Sequence, residues 1–316
     1  MQTPDLLGRR LLFFTGKGGV GKSTIAAATA LLAANHGKRV LVIEVDAKGN
    51  ITDRFEADRV GFTPREVHSG VWALSMDTEA SLREYLKLNL RVPIVGRIGP
   101  LAQVLDFVAT AAPGVKEVLT IGKVCWETRE ALEGRAEWDL IVVDAAATGH
   151  VIAQLGAPDA IRELVAVGPV RGQTEWMSDI LRDPAITALN VVATPEEMPV
   201  SETIELVGRA RESLDVPLGA VVVNRVLPEL FTRADEVAFE GLSEPPAAAV
   251  LGSAATAVLD GARLAVSLRR TKAAHLARLR DVVELPMLYV PYLFSRTHGL
   301  RETRMVADAL GEELGF

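Results

Sequence analysis

Residues Gly16-Lys17-Gly18-Gly19-Val20-Gly21-Lys22-Ser23-Thr24 fit the phosphate-binding pattern G-x-x-x-x-G-K-[ST]. That pattern constrains the fold, because a phosphate cradle needs a strand to enter it and a helix to leave it. Glycines let successive backbone N–H groups turn inward toward the phosphates, and the helix N-terminus adds positive potential. Both flanks are present. Leu11-Leu12-Phe13-Phe14-Thr15 reads as a short buried strand, and Ile25 to Asn35 is Ala/Leu-rich and helix-forming, with His36-Gly37 as its stop. A glycine-rich structural turn is the competing reading of the same residues.

Further apolar runs follow at Arg39 to Val45, Val71 to Met76, Asp139 to Asp144, Leu189 to Thr194, Leu218 to Asn224 and Met287 to Pro291. They are continuous rather than alternating, and helical stretches separate them. This predicts an α/β fold: a mostly parallel sheet with helices on both faces. Sites in such sheets gather at the C-terminal strand ends, so Asp46, Asp144, Thr194 and Asn224 become candidates. Two helical insertions, about 82–135 and 151–188, flank the Asp139–Asp144 run. They either join into a helical subdomain beside the site or simply cover the sheet. A loop at Glu244-Pro245-Pro246 precedes an Ala-rich helix to about Leu285, with Leu276, Leu279 and Val283 on one face. We expect one domain over residues 1–316.

Composition narrows the class. Of the 316 residues, 34 are Lys or Arg and 41 are Asp or Glu, a net charge of −7. That balance argues against broad nucleic-acid or anionic-membrane binding. Cys125 is the single cysteine, so neither an intramolecular disulfide nor a cysteine metal cluster is expected. No apolar stretch is long enough for a membrane span. The run Leu11 to Phe14 is too short for a signal peptide. The expectation is a soluble, cytoplasmic protein without stable membrane insertion. The basic cluster Arg269, Arg270, Lys272, Arg278 and Arg280 reads as a solvated face.

The loop spacing assigns chemistry to its residues. Lys22 is placed for the β- and γ-phosphates, Ser23 for Mg²⁺, and Thr24 for the α-phosphate. Asp144, closing an apolar strand, suits the magnesium shell through water, with a turn-capping Asp as the alternative. Asp46, at the end of the strand after the loop helix, suits orienting or deprotonating the attacking water, with a plain turn Asp as the alternative. Gly16, Gly18, Gly19, Val20 and Gly21 complete the cradle, and Lys17 is a second lysine that a standard loop does not use.

These residues resemble a known group. The Gly16–Thr24 loop looks like the deviant Walker A loop of the signal-recognition, MinD and BioD superclass of P-loop ATPases. Asp144-Ala145-Ala146-Ala147-Thr148-Gly149-His150 resembles the D-T-A-P-T-G-H switch II of the arsenite-pump ATPase (ArsA) and tail-anchored-protein-targeting family. Val45-Asp46-Ala47-Lys48-Gly49-Asn50 is similar to its switch I, and Ala112 to Glu117 to its A-x-P-G-x-x-E stretch. The resemblance implies ATP/ADP and Mg²⁺ as ligands. It implies catalytic roles for Lys17, Asp46 and Lys22, with Lys17 crossing a dimer interface. Asp144, Thr148, Gly149 and His150 would move as a switch. Asn224, Pro291, Tyr292 and Leu293 would contact adenine.

The departures matter equally. One cysteine cannot make the sulfur site that arsenite prefers, and the region 251–270 lacks the C-x-x-C zinc clasp of the targeting enzymes. Six scattered methionines do not form a Met-rich client groove. The expected function is Mg-dependent ATP hydrolysis that opens and closes a homodimer, or a heterodimer with a paralogue, around an unknown protein client. A MinD/ParA-like positioning ATPase and a nucleotide-binding scaffold subunit of a heterodimer are the alternatives.

Overall fold

The computed structural model describes residues 5–46, 48–90, 115–164, 169–242 and 245–316. Their sheet has eight strands: β1 (Leu11–Gly16), β2 (Val40–Glu44), β3 (Arg65–His68), β4 (Val71–Ser75), β5 (Leu140–Ala147), β6 (Thr187–Ala193), β7 (Leu218–Val226) and β8 (Met287–Pro291). The spatial order is β3-β4-β2-β5-β1-β6-β7-β8, with every pairing parallel except β3 with β4. The chain leaves β1 toward one edge and later returns to build the other. The C-terminal end of β1 therefore lies at the topological switch, where open α/β sheets hold ligands.

Both faces of the sheet are covered, and the strand sequences show why. Leu12 and Phe14 pack in one hydrophobic cluster, whereas Leu11 and Phe13 pack in the other. Successive residues of a strand point to opposite faces, so a strand buried on both sides must be apolar at every position. The edge strand β3 escaped the sequence reading because Arg65-Glu66-Val67-His68 is half exposed and largely polar. Its antiparallel pairing with β4 through a short turn needs no apolar run.

Helix α1 (Lys22–Asn35) is buried from Ile25 through Ala33. A helix covered nearly all round needs small apolar residues throughout rather than one apolar stripe, which explains its run of alanines. Gly37, at φ +81°, ends it in a left-handed conformation that side chains resist. On the other sheet face lie α4 (Val115–Leu132), α5 (Thr148–Leu164), α6 (Pro169–Arg182) and α7 (Glu197–Ser213), after α2 (Asn50–Arg54) and α3 (Thr78–Leu90) in chain order. Helices α3 to α6 overlap the two expected insertions, with α3 and α5 beginning ahead of them at Thr78 and Thr148, although residues 91–114, and with them the first half of Ala112–Glu117, lie outside the described residues. The second insertion ends at Arg182, before β6 begins at Thr187. Then come α8 (Arg233–Leu242), the long α9 (Pro245–Val282) and α10 (Leu300–Leu314). Val306 and Leu310 of α10 are buried in the cluster that holds α1, so the C-terminal helix spends its apolar face on the body.

One expectation needs correction. Asp144 does not close its strand: β5 runs on to Ala147 and passes directly into α5 at Thr148. The three alanines offer no turn chemistry, and Ala147 pairs with Gly16 past a one-residue register shift, extending the ladder.

Candidate nucleotide site

Strand β1 delivers the chain to Gly16, where a side chain is impossible. Its φ is +149°, and a Cβ there would lie 2.1 Å from the Val192 carbonyl oxygen. The loop then turns through Gly19 at φ +87° and Gly21 at φ +97°, the latter serving as N-cap of α1. No side chain caps that N-terminus among the described residues. Its first backbone N–H groups are left for an anion, in a site of positive potential.

Beside the loop, Ser23 Oγ donates to Asp144 Oδ2 at 2.6 Å. Asp144 sits opposite Phe14 of β1 and Glu44 of β2. Burial pushes its carboxyl up to about 6, although the Ser23 hydrogen bond and the Lys22 charge both pull it down. Burial likewise lowers the Lys22 ammonium below the usual lysine range, opposed by Asp144 and Asp46. A desolvated cation and a desolvated carboxylate share one small space, held apart from direct pairing. Lys22 Nζ instead donates to the Lys17 carbonyl at 3.3 Å. Such charges are costly alone and are relieved by a polyanion and a hard cation. Among the described residues there is no cluster of His, Cys, Asp and Glu that could hold a metal by itself.

Asp46 is exposed and lies 3.5 Å from Lys48 Nζ. Ala47 lies outside the described residues. Sequence reasoning overlooked Glu44, which is almost fully buried. Its Oε2 accepts the Gly49 N–H at 3.0 Å and its Oε1 the Asn50 N–H at 2.7 Å. The carboxylate thus pins the start of α2 and, with it, the segment that carries Asp46. A glutamate inside an otherwise apolar strand was the available signal.

Lys17 forms an ion pair with Glu202 of α7. Glu202 was also unread in the sequence. Its other oxygen accepts a longer bond, 3.4 Å, from Thr148 Oγ1. Gly149 and His150, in the first turn of α5, are exposed.

At the start of α1, a cleft of about 290 Å³ opens between β7, β8 and α10. Thr24, Asn224, Pro291, Tyr292 and Leu293 line it, so the loop and the expected base contacts are brought together. Arg54, Phe294, Ser295, His298 and Glu302 line it too. Asn224 has a structural duty there: its Nδ2 donates to the Val20 carbonyl at 2.9 Å, bracing the phosphate loop. Glu302 accepts from Thr297 Oγ1 at 2.7 Å, Ser295 Oγ at 2.8 Å and the Gly299 N–H at 3.0 Å. These bonds hold its carboxyl down to about 2. They fix the 295–299 loop that closes the cleft.

Elsewhere, Cys125 is fully buried, and burial pushes its thiol far above the usual range. Arg269 and Arg270 pair with Glu229 and Glu236, while Lys272 lies 3.7 Å from Glu196. Arg278 and Arg280 instead donate to Ser201 Oγ and the Tyr289 hydroxyl, so three of the five cations of the expected basic face are paired with local acids.

A strand, glycine loop and helix, a carboxylate one strand away, and a base-sized cleft beyond define a P-loop nucleotide-hydrolysing protein. Residues 9–175 and 162–239 match the anion-transporting ATPase (ArsA ATPase) family, and the chain belongs to it. It is an ATPase, and nucleotide binding follows from its class. ATPase BagA of Mycobacterium tuberculosis is 36% identical over 230 residues, which cover 71% of this chain and 67% of BagA. An arsenical pump-driving ATPase of Escherichia coli is 31% identical over 252 residues, covering 72% of this chain and 41% of that protein. A second pump-driving ATPase, from Acidiphilium multivorum, is 31% identical over 251 residues, again covering 41% of its length. No helix among the described residues is long and apolar enough to cross a membrane.

Proposed function

We propose that the protein hydrolyses ATP with Mg²⁺ to drive an open/closed switch of a dimer that grips a protein partner. The observation that carries this reading is the Lys17–Glu202 pair. The second lysine of the loop is paired with an acid that also touches the first residue of the switch helix. A charge parked in this way is available to a facing subunit once Thr148 moves. Such a group supplied from a partner accelerates phosphoryl transfer by about 10³–10⁵.

Within each subunit, the loop amides and Lys22 bind the phosphates. Ser23 and Asp144, two hard oxygen donors 2.6 Å apart, would hold Mg²⁺, Asp144 through water. When bound, the ion neutralises charge on the phosphate oxygens. Asp46 orients a water and accepts its proton as the water oxygen bonds to the γ-phosphorus and the bond to the β-phosphate oxygen breaks, leaving ADP and phosphate. Glu44 positions the segment that carries Asp46. The helices α3 to α6 supply the layer whose grip changes with nucleotide.

Trans complementation tests the shared site. Lys17→Ala and Asp46→Asn should each lose turnover while keeping nucleotide affinity. Mixed in equal amounts, they should recover about a quarter of wild-type activity, because half the dimers pair one intact lysine with one intact aspartate. A mixture as dead as its parts, or an active Lys17→Ala protein, would reject the cross-subunit role. Against the positioning-ATPase alternative stands α10, whose apolar face is already packed on the body.

A further inference from the structure

We propose that Arg54 is a nucleotide-binding residue whose guanidinium takes an α-phosphate oxygen of the bound adenine nucleotide. Arg54 is the last residue of α2 and lines the same cleft as Thr24, Asn224 and Tyr292. Its Nη1 donates to the His298 carbonyl at 2.8 Å, and its Nε is buried without a hydrogen-bond partner. Two other arginines have an unpartnered buried Nε, Arg39 and Arg182, but both form ion pairs, with Glu137 and with Asp159 and Asp215. Arg54 differs. The acids around it, Asp53, Asp144 and Glu302, act on it only through space, and burial lowers the guanidinium from its usual range. Glu302 is engaged by three donors of the 295–299 loop, and Asp144 by Ser23. Neither is free to become its counter-ion.

A part-buried cation that makes no ion pair with a carboxylate among the described residues, in a cleft that opens from a phosphate loop, has room for an anion. The cleft's position says which one. Lys22 and Ser23 serve the β,γ end of the loop, while Thr24, one residue on, faces the cleft with Arg54. The phosphate that leaves the cradle toward the base is the α-phosphate, and the planar guanidinium fork suits its paired oxygens. The guanidinium is also preorganised. Thr303 Oγ1 donates to the Arg54 carbonyl at 3.1 Å, and Glu56 Oε1 accepts the Leu300 N–H at 3.2 Å, tying this end of α2 to α10.

Calorimetric titration of wild type, Arg54→Gln and Arg54→Lys with ADP and with ATP tests the assignment. The α-phosphate is common to both ligands, so Arg54→Gln should weaken both by the same factor, roughly 10–100-fold. Arg54→Lys should recover part of the loss, because it keeps the positive charge without the planar fork. Unchanged ADP affinity would overturn the proposal and leave Arg54 a strut for the His298 loop, as would a loss confined to ATP. Should Arg54→Gln fail to fold, Arg54→Lys decides alone: an ADP affinity equal to wild type overturns the assignment.

Discussion

Lys17 and Glu202 form an ion pair within one chain, and Glu202 simultaneously accepts from Thr148, where strand β5 becomes helix α5. One carboxylate therefore links the extra lysine of the phosphate loop to the element that leaves the Asp144 strand. Both side chains of the pair are about a third exposed, so the pair is weak, worth up to ~1 kcal/mol.

Glu202→Gln should consequently free Lys17 at little cost to folding. Under the shared-site reading, basal ATP turnover should rise by at most about fivefold, the equilibrium weight of such a pair. Steady-state phosphate release with and without 0.5 M salt would measure it, to an order of magnitude. A fall in turnover would show that Glu202 helps rather than restrains the lysine.

The Asp144 carboxyl provides a pH test. Its folded pKa is raised from 3.8 to about 6, chiefly by burial. The stability this contributes is full below about pH 4 and is lost as pH rises through 6, leaving a burial cost of roughly 3 kcal/mol at neutral pH. Asp144→Asn keeps the acceptor for Ser23 and removes that charge. Without nucleotide or metal it should be more stable than wild type by roughly 1–3 kcal/mol at pH 8, with the gain vanishing below about pH 4. Urea denaturation at the two pH values measures it, and no gain at pH 8 would refute the buried-charge account.

At Gly21, geometry predicts a double penalty. A Cβ there would lie 2.3 Å from Asn224 Nδ2, and φ is +97°. Gly21→Ala should cost about 1–3 kcal/mol and abolish tight ADP binding, because the Asn224 bond to Val20 is displaced. Adding Asn224→Ala relieves only the clash. The double variant should therefore recover part of the stability and little of the affinity, as denaturation and ADP titration would show.

Cys125 should be inert. A fully buried thiol with its pKa pushed up is neither nucleophile nor metal ligand. A thiol reagent should fail to label the folded protein, and Cys125→Ala should leave turnover unchanged with or without arsenite. Arsenite stimulation that disappears in Cys125→Ala would contradict this.

Much of the fold was legible because its information is local. The strand β8 runs over Met287–Pro291, as its apolar run predicts. The strand β3 was not legible, since a half-exposed edge pairs through its backbone and leaves little side-chain signature. The end of β5 was misplaced because Asp144 looks like a terminator in sequence, yet a ladder with Gly16 carries the strand past it. Among site residues, the loop was readable from its glycines and lysines. Arg54 and Glu202 were not, because nothing in their own neighbourhoods shows what they face, and Glu44 was marked only by being a glutamate in an apolar strand.

The sequence by itself determined the phosphate cradle, the parallel sheet that presents it and the want of cysteines for a sulfur-bound metalloid. Each depends on residue type and spacing along one short segment. Only the tertiary structure decided where the charges go. It set Lys17 on Glu202, 185 residues away, and Arg54 beside a loop 244 residues on without an acid to match. Charge pairing depends on distance in space, and a chain brings such distant side chains together only when its core has closed.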